Sequence, residues 1–194
     1  MVTLEQVKEL RGHTGCGVVD CRQALEEAGG DIDQAITLLR KQGRTKAAKK
    51  ADRETSEGVV ASYIHSNNKV GSMVSLLCET DFVARNEKFQ ELAHNIALHI
   101  AALEPIAVKP DDISPELVEQ ERKIALEQAA SSGKPAEIQE KIVEGKLKTF
   151  RDEQSLMSQS YVKDPSKTIE DLITQAIQEL GENITVRDFK LIKI

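Results

Sequence analysis

The residues best placed to act on another molecule are Thr80-Asp81-Phe82-Val83, directly after an apolar run from Val70 to Cys78. An acid and a large ring stand side by side where an extended run ends and a helical pattern begins. The chain has 194 residues, no Trp, 4 Phe and 2 Tyr, so a phenylalanine at a turn uses a scarce side chain. Asp81 has the chemistry of an N-cap, because a carboxylate accepts bonds from the free N–H groups of the next turn. Such a cap sets Phe82 on the first helical turn at a defined angle. From there the ring either enters the chain's own core or probes a partner; the local pattern satisfies both readings.

Other chemistries find little support. Cys16 and Cys21 are five apart and Cys78 is remote, so no Cys-x-x-Cys pair exists and all three are expected to be small core residues. His94 and His99, also five apart, have the wrong phase for two ligands on one helical face, and His13 and His65 have no obvious metal partners. No phosphate-cradling Gly-Lys loop, nucleophile elbow or zinc-protease helix occurs. Neither a catalytic constellation nor a metal or cofactor is expected, which places the chain outside bond-making enzymes. The Asn183-Ile184-Thr185 glycosylation sequon is idle without a secretory signal, and Met1-Val2-Thr3-Leu4-Glu5 turns straight into a helical pattern. No apolar run approaches the roughly 18 residues that span a bilayer. These features fit a cytoplasmic chain, and a net charge of −6 disfavours nucleic acid or anionic membrane as the main partner.

The elements that must hold the Asp-Phe turn can be read in order. Residues 3–42 read as three short helices. Thr3 with Gln6 forms a capping box for the first, with Leu4, Val7 and Leu10 as its apolar face. A glycine-rich turn, Gly12 to Gly17, reads as a tight turn rather than a phosphate site. The second helix runs from Val18 to about Ala28 with Val18, Cys21, Leu25 and Ala28 inward, although Val18 also suits a partner-facing position. Asp31 and Gln34 open the third, with Ile32, Ala35, Ile36 and Leu39 inward, and Gly43 is expected to stop it. A unit this small buries little surface and suits docking. Residues 44–55 are basic and apolar-poor, a solvated linker.

From Ser56 the period changes. Gly58–His65 and Lys69–Cys78 flank Ser66-Asn67-Asn68 and read as a long β-hairpin. After the Asp-Phe turn, a helix from about Glu87 to Leu103 carries the stripe Phe89, Leu92, Ala93, Ile96, Ile100, Leu103. Ser114 and Pro115 open the next helix, which runs to about Ala130. After a break at Ser131–Lys134, another runs from Pro135 to about Phe150, the two forming an antiparallel hairpin. Asp164-Pro165 marks a further break, Thr168 caps a helix ending at Gly181, and Thr185–Ile194 closes as a strand. The order predicts an α+β fold: a three-helix docking module at 1–43, a linker at 44–55, and at 56–194 a core of three-stranded antiparallel sheet with helices and a helical hairpin.

The chain resembles the bacterial elongation factor Ts family over nearly its whole length. The resemblance is carried by Leu10-Arg11 with Thr14-Gly15-Cys16-Gly17-Val18-Val19-Asp20-Cys21, by Ala24-Leu25 and Gly30-Asp31, and by Thr80 to Glu87 with Phe89. Glu140 to Lys146 and Asp164-Pro165-Ser166-Lys167-Thr168 complete it, in the same order. It implies an opening module of ubiquitin-associated type and a guanine nucleotide exchange factor for elongation factor Tu. It also implies that Thr80, Asp81, Phe82 and Val83 reach the GTPase near its magnesium site, loosening the ion, the phosphate loop and GDP. A weaker contact is implied for Val18, Val19 and Asp20 of the module.

The longer form of this family carries a second, related core half that this chain lacks, so two chains are expected to supply two cores as a homodimer. The closing strand is apolar in both phases, with Val186, Ile192 and Ile194 in one and Phe189 and Leu191 in the other, which expects cover on both faces. With no cysteine near the C-terminus, no disulfide across the closing strands is expected. The alternative function is an adaptor: a ubiquitin-associated-type binding module without exchange activity, which leaves the Asp-Phe turn unexplained.

Overall fold

Helix starts follow the caps written into the chain. The structure is a computed structural model that describes residues 2–131 and 135–194. The Thr3–Gln6 capping box opens α1 (Leu4–Thr14), and Gly15 ends it at φ 67°, a left-handed angle that costs glycine little. After α2 (Val18–Glu27), Asp31 accepts from the Gln34 N–H at the start of α3 (Ile32–Ala48). These three helices close over their own cluster, with Leu10, Cys21, Ala24, Leu25 and Ala35 fully buried.

Four expectations for this part are corrected. Leu4 and Val18 lie outside the cluster, 71% and 52% exposed, because the short helices have only a narrow inward stripe. The helix does not stop at Gly43: α3 runs on to Ala48. Gly43 is buried against α8 (Ile169–Leu180), where a Cβ would come 1.8 Å from the Gln178 amide nitrogen, so this glycine permits close approach rather than a stop. Nor is the basic connector simply solvated. Arg44 pairs with Asp171 at 3.0 Å, the Lys50 ammonium donates to the Gly181 carbonyl at 2.5 Å, and the Asn183 amide donates to the Arg53 carbonyl at 2.9 Å.

The hairpin joins β1 (Glu57–Ile64) to β2 (Val70–Cys78), with Asn68 at φ 56° in its turn. β5 (Thr185–Lys193) pairs with β2, giving a three-stranded antiparallel sheet of order β1-β2-β5 and an α+β fold. Between them stand the single turn α4 (Asp81–Ala84) and then α5 (Glu87–Leu103). α6 (Pro115–Ala130) and α7 (Ala136–Gln154) pack together through Ala125, Ala129, Val143 and Leu147. The expected break between them falls largely at 132–134, outside the described residues. β3 (Ser160–Tyr161) and β4 (Asp164–Thr168) form a small hairpin where the Asp164-Pro165 pattern predicts only a break. No helix among the described residues is long and apolar enough to cross a membrane.

α5 packs on one face of the sheet, and α8 packs in turn against α5. Phe89, Ile96 and Ile100 of α5 and Ile169 and Ile173 of α8 share one core cluster with Val74, Leu76 and Cys78 of β2. The expected stripe holds except at Leu103, which is 44% exposed at the helix end. β5 differs from expectation. A bulge at Ser75/Leu76 pairs Val186 with Leu76 but Asp188 with Ser75. One extra residue shifts the alternation, so Val186 joins Phe189 and Leu191 on the helix side. The strand is therefore not apolar on both faces along its length. What remains on the open face is Ile192, with Val60, Ile64 and Met73 of the neighbouring strands, each at least half exposed.

Candidate partner-binding site

The Asp-Phe turn is built from both ends. β2 ends at Cys78, a buried residue whose thiol burial pushes up to about 11, so it stays protonated and donates to the Thr80 carbonyl at 3.2 Å. At the other end Ala84 is buried, Val83 packs against the main core, and Asn86 caps α5 by accepting from the Lys88 N–H. Between these anchors the chain makes one helical turn.

The cap of that turn is Thr80, not Asp81. The Thr80 hydroxyl oxygen accepts from the Val83 N–H at 3.4 Å, which leaves Asp81 as the first helical residue. Asp81 instead meets the Arg85 guanidinium at 3.0 Å, one turn on and largely exposed. An ion pair that open contributes little to stability. Phe82 points outward and is 81% exposed. Of the two sequence readings of the ring, core or probe, the core is therefore excluded. Asp81 and Phe82 project together, while Thr80 and Val83 hold the turn.

The residue that sequence reading passed over is Glu182. Its Oε2 accepts from the Glu79 N–H at 3.1 Å and the Thr80 N–H at 3.0 Å, and its Oε1 accepts from the Thr80 hydroxyl at 2.6 Å. In return, Glu79 Oε1 accepts from the Asn183 N–H at 2.6 Å and lies 3.4 Å from Arg53. Asn183, noted in the sequence only for its sequon, is buried with its amide turned to the connector. The only signal available was an acid and an amide between a helix-ending glycine and a strand; nothing local points from there to Thr80.

In the three-helix unit, Val18 and Val19 stand 52% and 77% exposed at the start of α2. Asp20 follows, paired with Lys46 at 3.0 Å. The structure does not bring this group together with the Asp-Phe turn; they are separate exposed features on the two units. Lys88 and Glu179, at 2.9 Å, and the Cys16 thiol donating to the Gln178 carbonyl oxygen at 3.2 Å lie in the region where α8 meets the small unit.

Comparison with known proteins is consistent with this geometry. Residues 19–179 match the family model described as elongation factor TS. Elongation factor Ts of Thermosipho melanesiensis is 53% identical over 189 residues, covering 97% of this chain and 96% of that protein. Elongation factor Ts of Nitratidesulfovibrio vulgaris is 50% identical over 188 residues, 97% and 94% of the two chains. Elongation factor Ts of Fervidobacterium nodosum is 49% identical over 193 residues, 100% and 98%.

Proposed function

The chain belongs to the elongation factor Ts family, and from that premise we propose that it releases GDP from elongation factor Tu by setting Phe82 and Asp81 against the magnesium side of the nucleotide site. It is a guanine nucleotide exchange factor of translation elongation. The adaptor alternative is not favoured, since the family match continues far beyond the three helices, to residue 179.

The observation that carries the site is Phe82: a ring 81% exposed on a turn whose neighbours are buried or capped. A large apolar group held outward loses little freedom when a partner covers it. Magnesium is the largest local charge where it bridges protein and phosphates, so a wedge and an acid that disturb its ligands weaken GDP binding. Linkage makes the effect reciprocal: the factor by which this protein lowers GDP affinity is the factor by which GDP lowers its own. No bond is made or broken in this protein, whose part is to favour one state of its partner.

Two further parts complete the proposal. The three helices serve as a docking module that adds binding to the GTPase through Val18, Val19 and Asp20; because α3 continues to Ala48, the module takes in residues 1–48, with 49–55 as connector and 56–194 as core. Two chains associate through the open sheet face, where Val60, Ile64 and Ile192 are 65%, 68% and 71% exposed. That pairing covers apolar surface on the sheet face opposite α5 and presents two Asp-Phe turns. The protein works in the cytoplasm, where its partner meets aminoacyl-tRNA.

The direct test is release of a fluorescent GDP from elongation factor Tu. Substoichiometric protein is expected to speed release and leave the nucleotide chemically unchanged. A stopped-flow trace that does not respond to added protein would sink the assignment.

A further inference from the structure

We propose that Glu182 is a positioning residue for nucleotide release, acting through the direction in which Phe82 is held. The proposal rests on the reading of the Asp-Phe turn as the releasing element.

The argument begins with how little holds α4 on its own. A single helical turn fixes several dihedrals for very few bonds and is unfavourable in isolation. α4 closes with Ala84 N–H to Thr80 carbonyl at 3.2 Å and Arg85 N–H to Asp81 carbonyl at 3.0 Å. The Phe82 ring is mostly in solvent, so the ring supplies almost no packing that would orient it. Its direction comes from the backbone, which Val83 and Ala84 anchor in the core on one side of the ring and which is tied at Thr80 on the other.

That tie is Glu182. One carboxylate takes the two successive amides where β2 gives way to the turn, together with the hydroxyl that caps α4. Three donors converge on two oxygens, the arrangement a carboxylate serves better than any neutral side chain, since each bond is charge-assisted. The contact is reciprocated, because Glu79 accepts from the Asn183 N–H. The two loops thus clasp each other by exchanging carboxylate-to-amide bonds across 102 and 104 residues of sequence. Asn183 also holds the connector through the Arg53 carbonyl, so the clasp joins the turn to the segment that leads to the docking module. A ring aimed by such a clasp reaches the partner already in place, and small errors in placement at a reacting site are costly.

The experiment is a cycle of Glu182→Ala, Glu182→Gln and Phe82→Ala, read by GDP release from elongation factor Tu with the full chain. Thermal melts accompany it, and assays run well below every midpoint. Glu182→Ala is expected to lower the maximal release rate about 10- to 100-fold, with a smaller change in the concentration of GTPase that gives half the rate. Glu182→Gln keeps one acceptor oxygen and recovers part of that loss, which also covers the case in which Glu182→Ala does not fold. The decisive reading is the double variant: in the Phe82→Ala background Glu182→Ala should cost almost nothing more, because the ring it aims is gone. Equal losses in both backgrounds, or parental release by Glu182→Ala beside an impaired Phe82→Ala, overturn this proposal alone. Parental release by Phe82→Ala overturns the role of the turn itself, and this proposal with it.

Discussion

Replacing Phe82 with alanine separates a probe from a core residue. The ring is 81% exposed, so the folded chain loses few contacts and its stability should change by no more than about 0.5 kcal/mol, as for other surface sites. Burying a whole phenylalanine side chain is worth about 1.5–3 kcal/mol, and four-fifths of that remains to be gained against a partner, or about 1.2–2.4 kcal/mol. At 1.36 kcal/mol per tenfold, Phe82→Ala should release GDP about 8- to 60-fold less efficiently. Phe89, fully buried in α5, is the control. Phe89→Ala should cost about 3–5 kcal/mol of stability, and for a domain of this size that lowers the melting temperature by roughly 6–20 °C. Stopped-flow release of fluorescent GDP beside thermal melts reads both. A Phe82→Ala chain that melts like the Phe89 variant, or that exchanges at the parental rate, refutes the reasoning.

The remaining expectations concern pH, assembly and the module. His99 is buried and lowered from its ordinary pKa by desolvation, opposed by the Gln159 bond at 3.0 Å; the Val162 N–H donates to Nδ1 at 3.2 Å, which leaves the proton on Nε2. Its neutral form stabilises the fold fully above about pH 6.5, and that contribution is lost as pH falls below this toward the folded pKa, by at most about 1.4 kcal/mol per pH unit. Unfolding midpoints between pH 7 and 5 should therefore fall more steeply for the parent than for His99→Gln, and parallel curves would remove His99 as the cause. Ile64→Lys on the open sheet face should weaken self-association about 10- to 150-fold with little change in melting; sedimentation showing an active monomer in the parent chain would end the homodimer. Deleting residues 1–48, through the end of α3, should leave a core with a cooperative melt and weaker binding to the GTPase in a titration, whereas a core that does not fold would make module and core one domain.

Elements governed by near neighbours were legible in the chain. The caps at Thr3, Asp31, Ser114 and Thr168 act within three residues, so the starts of α1, α3, α6 and α8 could be read directly. The stripe on α5 and the β1–β2 hairpin follow from periods of 3.6 and 2. The Asp-Phe turn was legible as a place, because a scarce ring beside an acid breaks the pattern around it. Which way the ring points was not, since both directions suit the same residues. Thr80 displaced Asp81 as the cap because Glu182, 102 residues away, fixes the threonine hydroxyl beside the turn.

Tertiary contacts decided the rest. The bulge at Ser75/Leu76 moves Val186 onto the helix side, a change of phase that no alternation within β5 announces, because it depends on how β2 pairs. α3 passes through Gly43, which faces Gln178 of α8, a neighbour that the residues around the glycine do not announce. Composition and periodicity report how each segment divides its own residues between inside and outside. They carry no term for a carboxylate that closes on amides about a hundred residues earlier, as Glu182 does on Glu79 and Thr80 at the start of the Asp-Phe turn.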